Sequence, residues 1–205
     1  NCWKTRTGSS ELSTLTALAE QQPFRFLVTS ARGLVRRLVP PAPLAAASRQ
    51  LVLGQSIDLE ELTATLVAAG YVRHAVVEDP GGLAVRGGLL DVWPPDADSP
   101  VRVELSGDVV AGLRHFDAES QRTGRTIERI WLPPVSEILL DRAARERAGA
   151  ELRALCDAAN VPSGKTRRLL EDLIDGHSLF GAEGYLPACH PLVTLWEYLP
   201  ERALF

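Results

Sequence analysis

The order of apolar and polar positions divides this chain into three parts. Residues 1–55 open with the polar run NCWKTRTGSSE, a poor core former. A helix is expected over Glu11–Glu20, capped by Ser9 or Ser10. Phe24–Thr29 (FRFLVT) reads as a short apolar strand, and Ser30 can cap a following helix through Val39. Pro40, Pro41 and Pro43 should stop that helix, because proline lacks an amide donor and restricts the residue before it. Strand, cap, short helix and proline stop together predict one β-α unit at the edge of a parallel sheet.

Residues 56–133 change period. Asp58 or Ser56 caps a predicted helix over Leu59–Ala69, whose Leu59, Leu62, Leu66 and Val67 are spaced for one buried face. Gly70 supplies its stop. About five strands then follow, separated by turn signals. They are Tyr71–Glu78, Leu83–Arg86, Leu89–Trp93, Val101–Leu105 and Val109–Phe116, after which Thr126–Leu132 closes the set. Asp79-Pro80-Gly81-Gly82, Gly87-Gly88, Pro94-Pro95 and Ser106-Gly107-Asp108 punctuate them. One helix followed by a strand meander predicts an α+β fold of two layers, a helix on an antiparallel sheet. Within Val101–Leu105, alternation assigns Val101, Val103 and Leu105 to the core. Arg102, Glu104 and Ser106 then share the other face, where the arginine and the glutamate are expected to pair in water.

Residues 134–205 are predicted to be mostly helical. Asp141 caps a long helix to about Ala159, with Leu152, Leu155 and Cys156 on one face. A second helix runs from Ser163 to Ile174 and ends at Asp175-Gly176. The tail carries Tyr185, Trp196, Tyr198 and Phe205, an aromatic-rich ending expected to pack.

Composition narrows the function classes. With 45% hydrophobic and 23% charged residues the chain is ordinary for a globular protein. A formal net charge of −4 argues against broad phosphate binding. Only Lys4 and Lys165 are lysines among 22 basic residues, so arginine supplies the cationic chemistry. Cys2, Cys156 and Cys189 form no metal-binding spacing with His74, His115, His177 or His190. Cys156, in an apolar helical stretch, is expected in the core, and a reducing, cytoplasmic location is expected. No apolar run approaches the length of a membrane span. The chain holds no methionine, as expected of a fragment of a longer protein.

Ser163-Gly164-Lys165-Thr166 is the one stretch that invites a catalytic reading. A phosphate-binding loop needs a glycine at the head of GxxxxGK[ST], directly after a strand, so that backbone amides can curl around the phosphates. Here the head position is Ala159 and the preceding stretch reads as helix, so a capped helix start is expected instead. Asp91, Glu104, Asp108 and Asp117 are candidate acid–base carboxylates, but no spacing sets two of them beside a histidine or nucleophile. Asp117 reads as a turn residue bonding its own backbone. His115 reads as structural or neutral on a half-exposed strand, and Trp93 and Trp131 as covers at the core edge. Arg73, Arg86 and Arg102, with Glu104, remain. They fall on strands of one small sheet, and rigidly held guanidinium groups suit recognition.

The order of short motifs carries a resemblance. A helix ending at Gly70, the Gly70-Tyr71 opening, RGGLLDVWP, PVRVEL and FDAESQRT together resemble the small UvrA-interaction domain shared by UvrB and the bacterial transcription-repair coupling factor (Mfd) family. The likeness is nearer to the latter. FRFLVTSARGLVRRLVPP and the helical tail through YLP extend it to nearly the whole chain, as the N-terminal UvrB-homology region of that family.

The resemblance implies residues 56–133 as the docking domain, inserted between 1–55 and 134–205, two segments of a degenerate helicase lobe without ATPase activity. It implies UvrA as partner, and Arg73, Arg86, Arg102 and Glu104 as the contacting residues. Ala84 stands where UvrB carries a further arginine, and Ser106 where the coupling factors often carry phenylalanine. ATP and Mg are expected only in motor domains of the parent, and RNA polymerase and DNA only through its other domains. The chain itself is expected to be non-catalytic, recruiting UvrA to stalled RNA polymerase in nucleotide excision repair. The alternatives are a nucleotide-binding helicase lobe using Lys165, or a DNA-binding domain. Self-association through the exposed sheet is a further expectation.

Overall fold

A computed structural model describes residues 9–139, 142–174, 184 and 186–200. Helix α1 (Ser9–Ala19) forms where expected and buries Leu12, Leu15 and Leu18. The Phe24–Thr29 run does not form the expected strand. It runs without a ladder partner, leaving Phe26 89% and Val28 92% exposed. A strand needs a neighbouring edge for its amides and carbonyls, and no edge among the described residues reaches this run, so the predicted β-α unit is not realised.

Ser30 does cap α2 (Ala31–Val35), its Oγ accepting from the Gly33 amide at 3.2 Å. The helix stops short of Val39 because Leu38 exchanges backbone hydrogen bonds with Val193, at 2.8 and 2.9 Å. The prolines then act at a different end from the one predicted. Pro41 opens α3 (Pro41–Ala47), whose first turn needs no intrahelical amide donor.

Strand β1 (Arg49–Val52) follows, an element the sequence pattern did not announce. The carboxylate of Asp58 then accepts from the amides of Glu60 and Glu61 at 2.8 and 3.0 Å and starts α4 (Leu59–Ala68). Leu62 and Leu66 face the core, whereas Val67 is largely exposed. Each helical step turns about 100°, so the neighbour of a fully buried Leu66 swings outward. Gly70 adopts φ +97°, and a Cβ there would meet the Ser136 side chain at 2.5 Å, two independent reasons for glycine.

Six strands then form one sheet in the spatial order β2-β3-β4-β5-β6-β7. They are β2 (Val72–Arg73), β3 (Gly82–Arg86), β4 (Leu89–Val92), β5 (Val101–Ser106), β6 (Val109–Phe116) and β7 (Thr123–Thr126). All neighbours are antiparallel except β2 and β3, which run parallel. β2 is far shorter than the predicted Tyr71–Glu78. Tyr71 is instead buried, donating its hydroxyl to the Pro133 carbonyl at 2.9 Å, and Val77 packs with Ala84 and Phe116 beside Trp93. The predicted closing strand splits: β7 stays on the sheet edge, while β8 (Arg129–Leu132) pairs antiparallel with β1 in a separate ribbon. Leu83, Leu90, Val92, Val101, Val103 and Leu113 cover one sheet face and meet Leu62 and Leu66 of α4. The result is the expected α+β two-layer arrangement.

In the return segment, α5 (Arg142–Ala158) and α6 (Ser163–Ile174) match their expected spans. Leu152 and Cys156 are buried but Leu155 points outward. A short α7 (Leu186–Cys189) and a 3-10 turn over Leu195–Tyr198 follow. Tyr198 is buried with its hydroxyl on the Val39 carbonyl, and Trp196 is half exposed. Asp141, Asp175-Gly176, Tyr185, Phe205 and Cys2 lie outside the described residues.

Candidate functional site

The face of the sheet turned away from α4 is built by strand alternation. Because Leu90 and Val92 point into the core, Asp91 between them points out. Register then aligns one row across the strands: Ala84, Asp91, Arg102, Arg114 and Thr126. A second row holds Arg86, Leu89, Glu104 and Gly112.

Asp91 is the centre of this face and is 1% exposed. Arg102 grips it with two parallel hydrogen bonds, Nε to Oδ1 at 2.7 Å and Nη2 to Oδ2 at 2.8 Å. Nη2 of Arg86 reaches the same Oδ2 at 2.5 Å from a side chain that is 46% exposed. The Arg102 side chain is only 15% exposed. Its guanidinium lies over the Phe116 ring, 4.7 Å from the centroid, and Nη2 also approaches Oε1 of Gln121 at 3.4 Å. Hydrogen bonding to Asp91 raises the Arg102 pKa above its ordinary value, against the opposing effect of burial. The expected pairing of Arg102 with Glu104 is therefore corrected. Residues two apart on a strand are farther from each other than a directly opposed cross-strand pair, and the opposed carboxylate is Asp91.

Glu104 occupies the neighbouring row. Its carboxylate lies over Gly112, where an added Cβ would come within 2.9 Å of Oε2. Ser106 is exposed at the end of β5, after a register shift between Glu104 and Leu105. Ala84 is buried with Val77 and Phe116, so a long side chain would have no room there without repacking. Arg73 stands apart from the other three predicted residues. It is in register with Leu83, a core-side position, which sets it on the opposite side of the sheet from Asp91 and Arg102.

The remaining candidates resolve into structural roles. Asp117 accepts from the amide and hydroxyl of Ser120 at 2.7 and 2.6 Å, the predicted turn, and these bonds hold its pKa below the usual carboxylate range. His115 lies in register with Val101 on the core side and shares a hydrogen bond at Nδ1 with Ser99 Oγ, 2.9 Å away. Burial, and then the Arg125 charge, lower its pKa. Trp93 donates Nε1–H to the Ala97 carbonyl at 2.9 Å. Trp131 donates to a carboxylate oxygen of Glu20 at 3.1 Å, the same oxygen that accepts from the Ser48 hydroxyl. Lys165 sits in the first turn of α6, its amide on the Pro162 carbonyl at 2.8 Å, and a helix rather than a strand precedes it.

By sequence alone Asp91 is a candidate acid or base and nothing more. Its place in LLDV, between two core positions, signals only that it faces away from the core; the pairing with Arg102 comes from the register of β4 on β5. The assembled face offers fixed guanidinium groups and a second carboxylate, Glu104, on rigid strands, an arrangement that can recognise complementary charge.

Residues 50–138 match the family described as the UvrB interaction domain. The transcription-repair-coupling factor of Myxococcus xanthus is 38% identical over 193 residues, 93% of this chain and 16% of that protein. That of Escherichia coli K12 is 31% identical over 96% of this chain and 17% of its own length. That of Bacillus subtilis is 32% identical over 60% of this chain and 10% of its own length. Spanning about a sixth of the length of the first of these relatives, the chain is similar over nearly all of its own length to transcription-repair-coupling factors and carries a UvrB interaction domain over residues 50–138.

Proposed function

We propose that this chain is a non-catalytic docking piece that binds UvrA through the face formed by Arg86, Arg102 and Glu104, with Arg73 at the sheet edge. In a longer parent, other domains would supply contacts with RNA polymerase and DNA, and this piece would recruit the excision machinery to a stalled polymerase in the cytoplasm. No cofactor enters this role; ATP and Mg belong to motor domains elsewhere in such a parent. The observation that carries the reading is the buried Asp91 clamped by Arg102 and Arg86. An ion-paired guanidinium network on strands is pre-ordered, so little side-chain entropy is lost when a partner arrives.

Calorimetric titration of purified UvrA into the chain tests it. Arg86→Ala should weaken binding about thirty-fold, the scale of an interface hot spot. Absence of any binding by the unsubstituted chain would end the proposal.

A further inference from the structure

The row through Asp91 contains an arginine that no motif singled out. Arg114 on β6 lies directly opposite Arg102 and is exposed. Directly opposed like charges destabilise a sheet unless something neutralises one of them. Asp91 offsets that repulsion only in part, because its one charge is shared between Arg102 and Arg86, with both oxygens already hydrogen-bonded. Arg102 in turn has its Nε and Nη2 committed and its ring face against Phe116. Only its Nη1 edge remains for a partner.

Arg114 differs on each of these points. It has no ion pair or hydrogen bond to another side chain among the described residues. Gly112, two residues earlier on the same strand and the same face, projects no side chain and is covered by the Glu104 side chain, so Arg114 itself stands exposed at the edge of that cover. The face as a whole sets three guanidinium groups, Arg86, Arg102 and Arg114, against two carboxylates, Asp91 and Glu104. The uncompensated charge is positive, and it stands at Arg114.

We infer that Arg114 is a contact residue of the docking face, receiving an acidic side chain of the partner, and that Arg102 serves chiefly to position the face around Asp91. This rests on the docking reading above and assigns it a residue and a chemistry. An arginine kept opposite another arginine costs the free sheet some stability, and a carboxylate from the partner relieves that cost. The two effects have opposite signs, which separates a binding role from a structural one.

The test titrates UvrA into the chain carrying Arg114→Ala, Arg114→Lys or Arg114→Glu, with Arg129→Ala on the separate ribbon as a control. Arg114→Ala should weaken binding at least about tenfold, Arg114→Glu more, and Arg114→Lys less than Arg114→Ala. The denaturation midpoint of Arg114→Ala should stay level or rise, and Arg129→Ala should bind as the parent does. An Arg114→Ala affinity within about twofold of the parent, well under a hot-spot effect, overturns the inference while leaving the docking reading intact. A lowered midpoint with proportionate loss of binding overturns it as well, since that is the mark of a structural role. If the unsubstituted chain does not bind UvrA, the docking reading fails and this inference with it.

Discussion

In the docking sheet the core comes from one continuous stretch: Leu51 through Leu132 supply all of its buried residues. The flanking cluster is assembled from two distant ones. Leu12, Leu15, Leu18, Leu38 and Leu44 arrive from one side of the sheet module in sequence, and Leu139, Leu186, Leu195 and Tyr198 from the other. The flank also leaves Phe26 and Val28 uncovered, whereas Leu83, Leu90, Val92, Val101, Val103 and Leu113 on the core face of the sheet are fully buried. A core made from contiguous chain closes its loops early, while a composite core must bring remote segments together first. The proposed docking face thus sits on the part whose folding depends least on the rest.

The largest expected effects probe that contrast. Leu66→Ala, at a fully buried position under the sheet, should cost about 3–5 kcal/mol in urea denaturation and abolish docking. Leu44→Ala, equally buried in the flanking cluster, should cost a similar amount. Hydrogen exchange should nevertheless leave the amides of β4 and β5 protected in Leu44→Ala. Loss of that protection would show the two cores to be one cooperative unit.

Asp91→Ala should come next, at about 3 kcal/mol, because it strands the mostly buried Arg102 charge. Arg102→Ala and Asp91→Ala combined should cost less than the sum of the two, as in any double-mutant cycle across a real pair.

The two buried tyrosines offer a matched comparison of about 1 kcal/mol each. Tyr71→Phe removes the bond to Pro133 at the sheet, and Tyr198→Phe removes the bond to Val39 in the flank. The first should lower the stability of the sheet amides, the second only that of the flank.

A pH effect should be smaller still. His115 has its pKa lowered in the fold by burial and by Arg125, so the folded state favours the neutral ring. Its contribution is complete above the ordinary value of 6.5 and is lost as pH falls below it, since the unfolded chain then binds the proton more readily. His115→Gln should flatten that part of the stability profile. At the bottom of the scale, Phe26→Ser should stay within about 0.5 kcal/mol, as befits a side chain that touches little. A large loss there would mean that Phe26 is packed after all.

The same contrast explains what could be read from the sequence. Alternation fixed the facing of β5 because its pleat has a period of two and its neighbours are a short turn away. Asp58 and Gly70 bounded α4 through local chemistry that needs no tertiary context. β1 was missed because Arg49–Val52 has no turn signal and becomes a strand only by pairing with β8, far along the chain. FRFLVT failed for the converse reason, having strand composition without an edge to join. Of the site, Arg86, Arg102 and Glu104 were legible as strand residues of one sheet, and Arg102 and Glu104 as sharing a face. Asp91 and Arg114 were not, because their roles depend on which residue lies opposite, and register across hairpins is written in turn geometry rather than in the strands themselves.

The β1–β8 ribbon has a consequence for how such a module can travel between proteins. The chain enters the docking sheet through Arg49–Val52 and leaves through Arg129–Leu132, and these run side by side. Adjacent strands are about 5 Å apart, so entry and exit together occupy no more room than a tight loop. A host could gain this domain by insertion, or lose it by deletion, without parting the elements on either side. The ribbon is a ready-made graft junction, and a short linker joining residue 48 to residue 133 should let the flanking helices close over the gap.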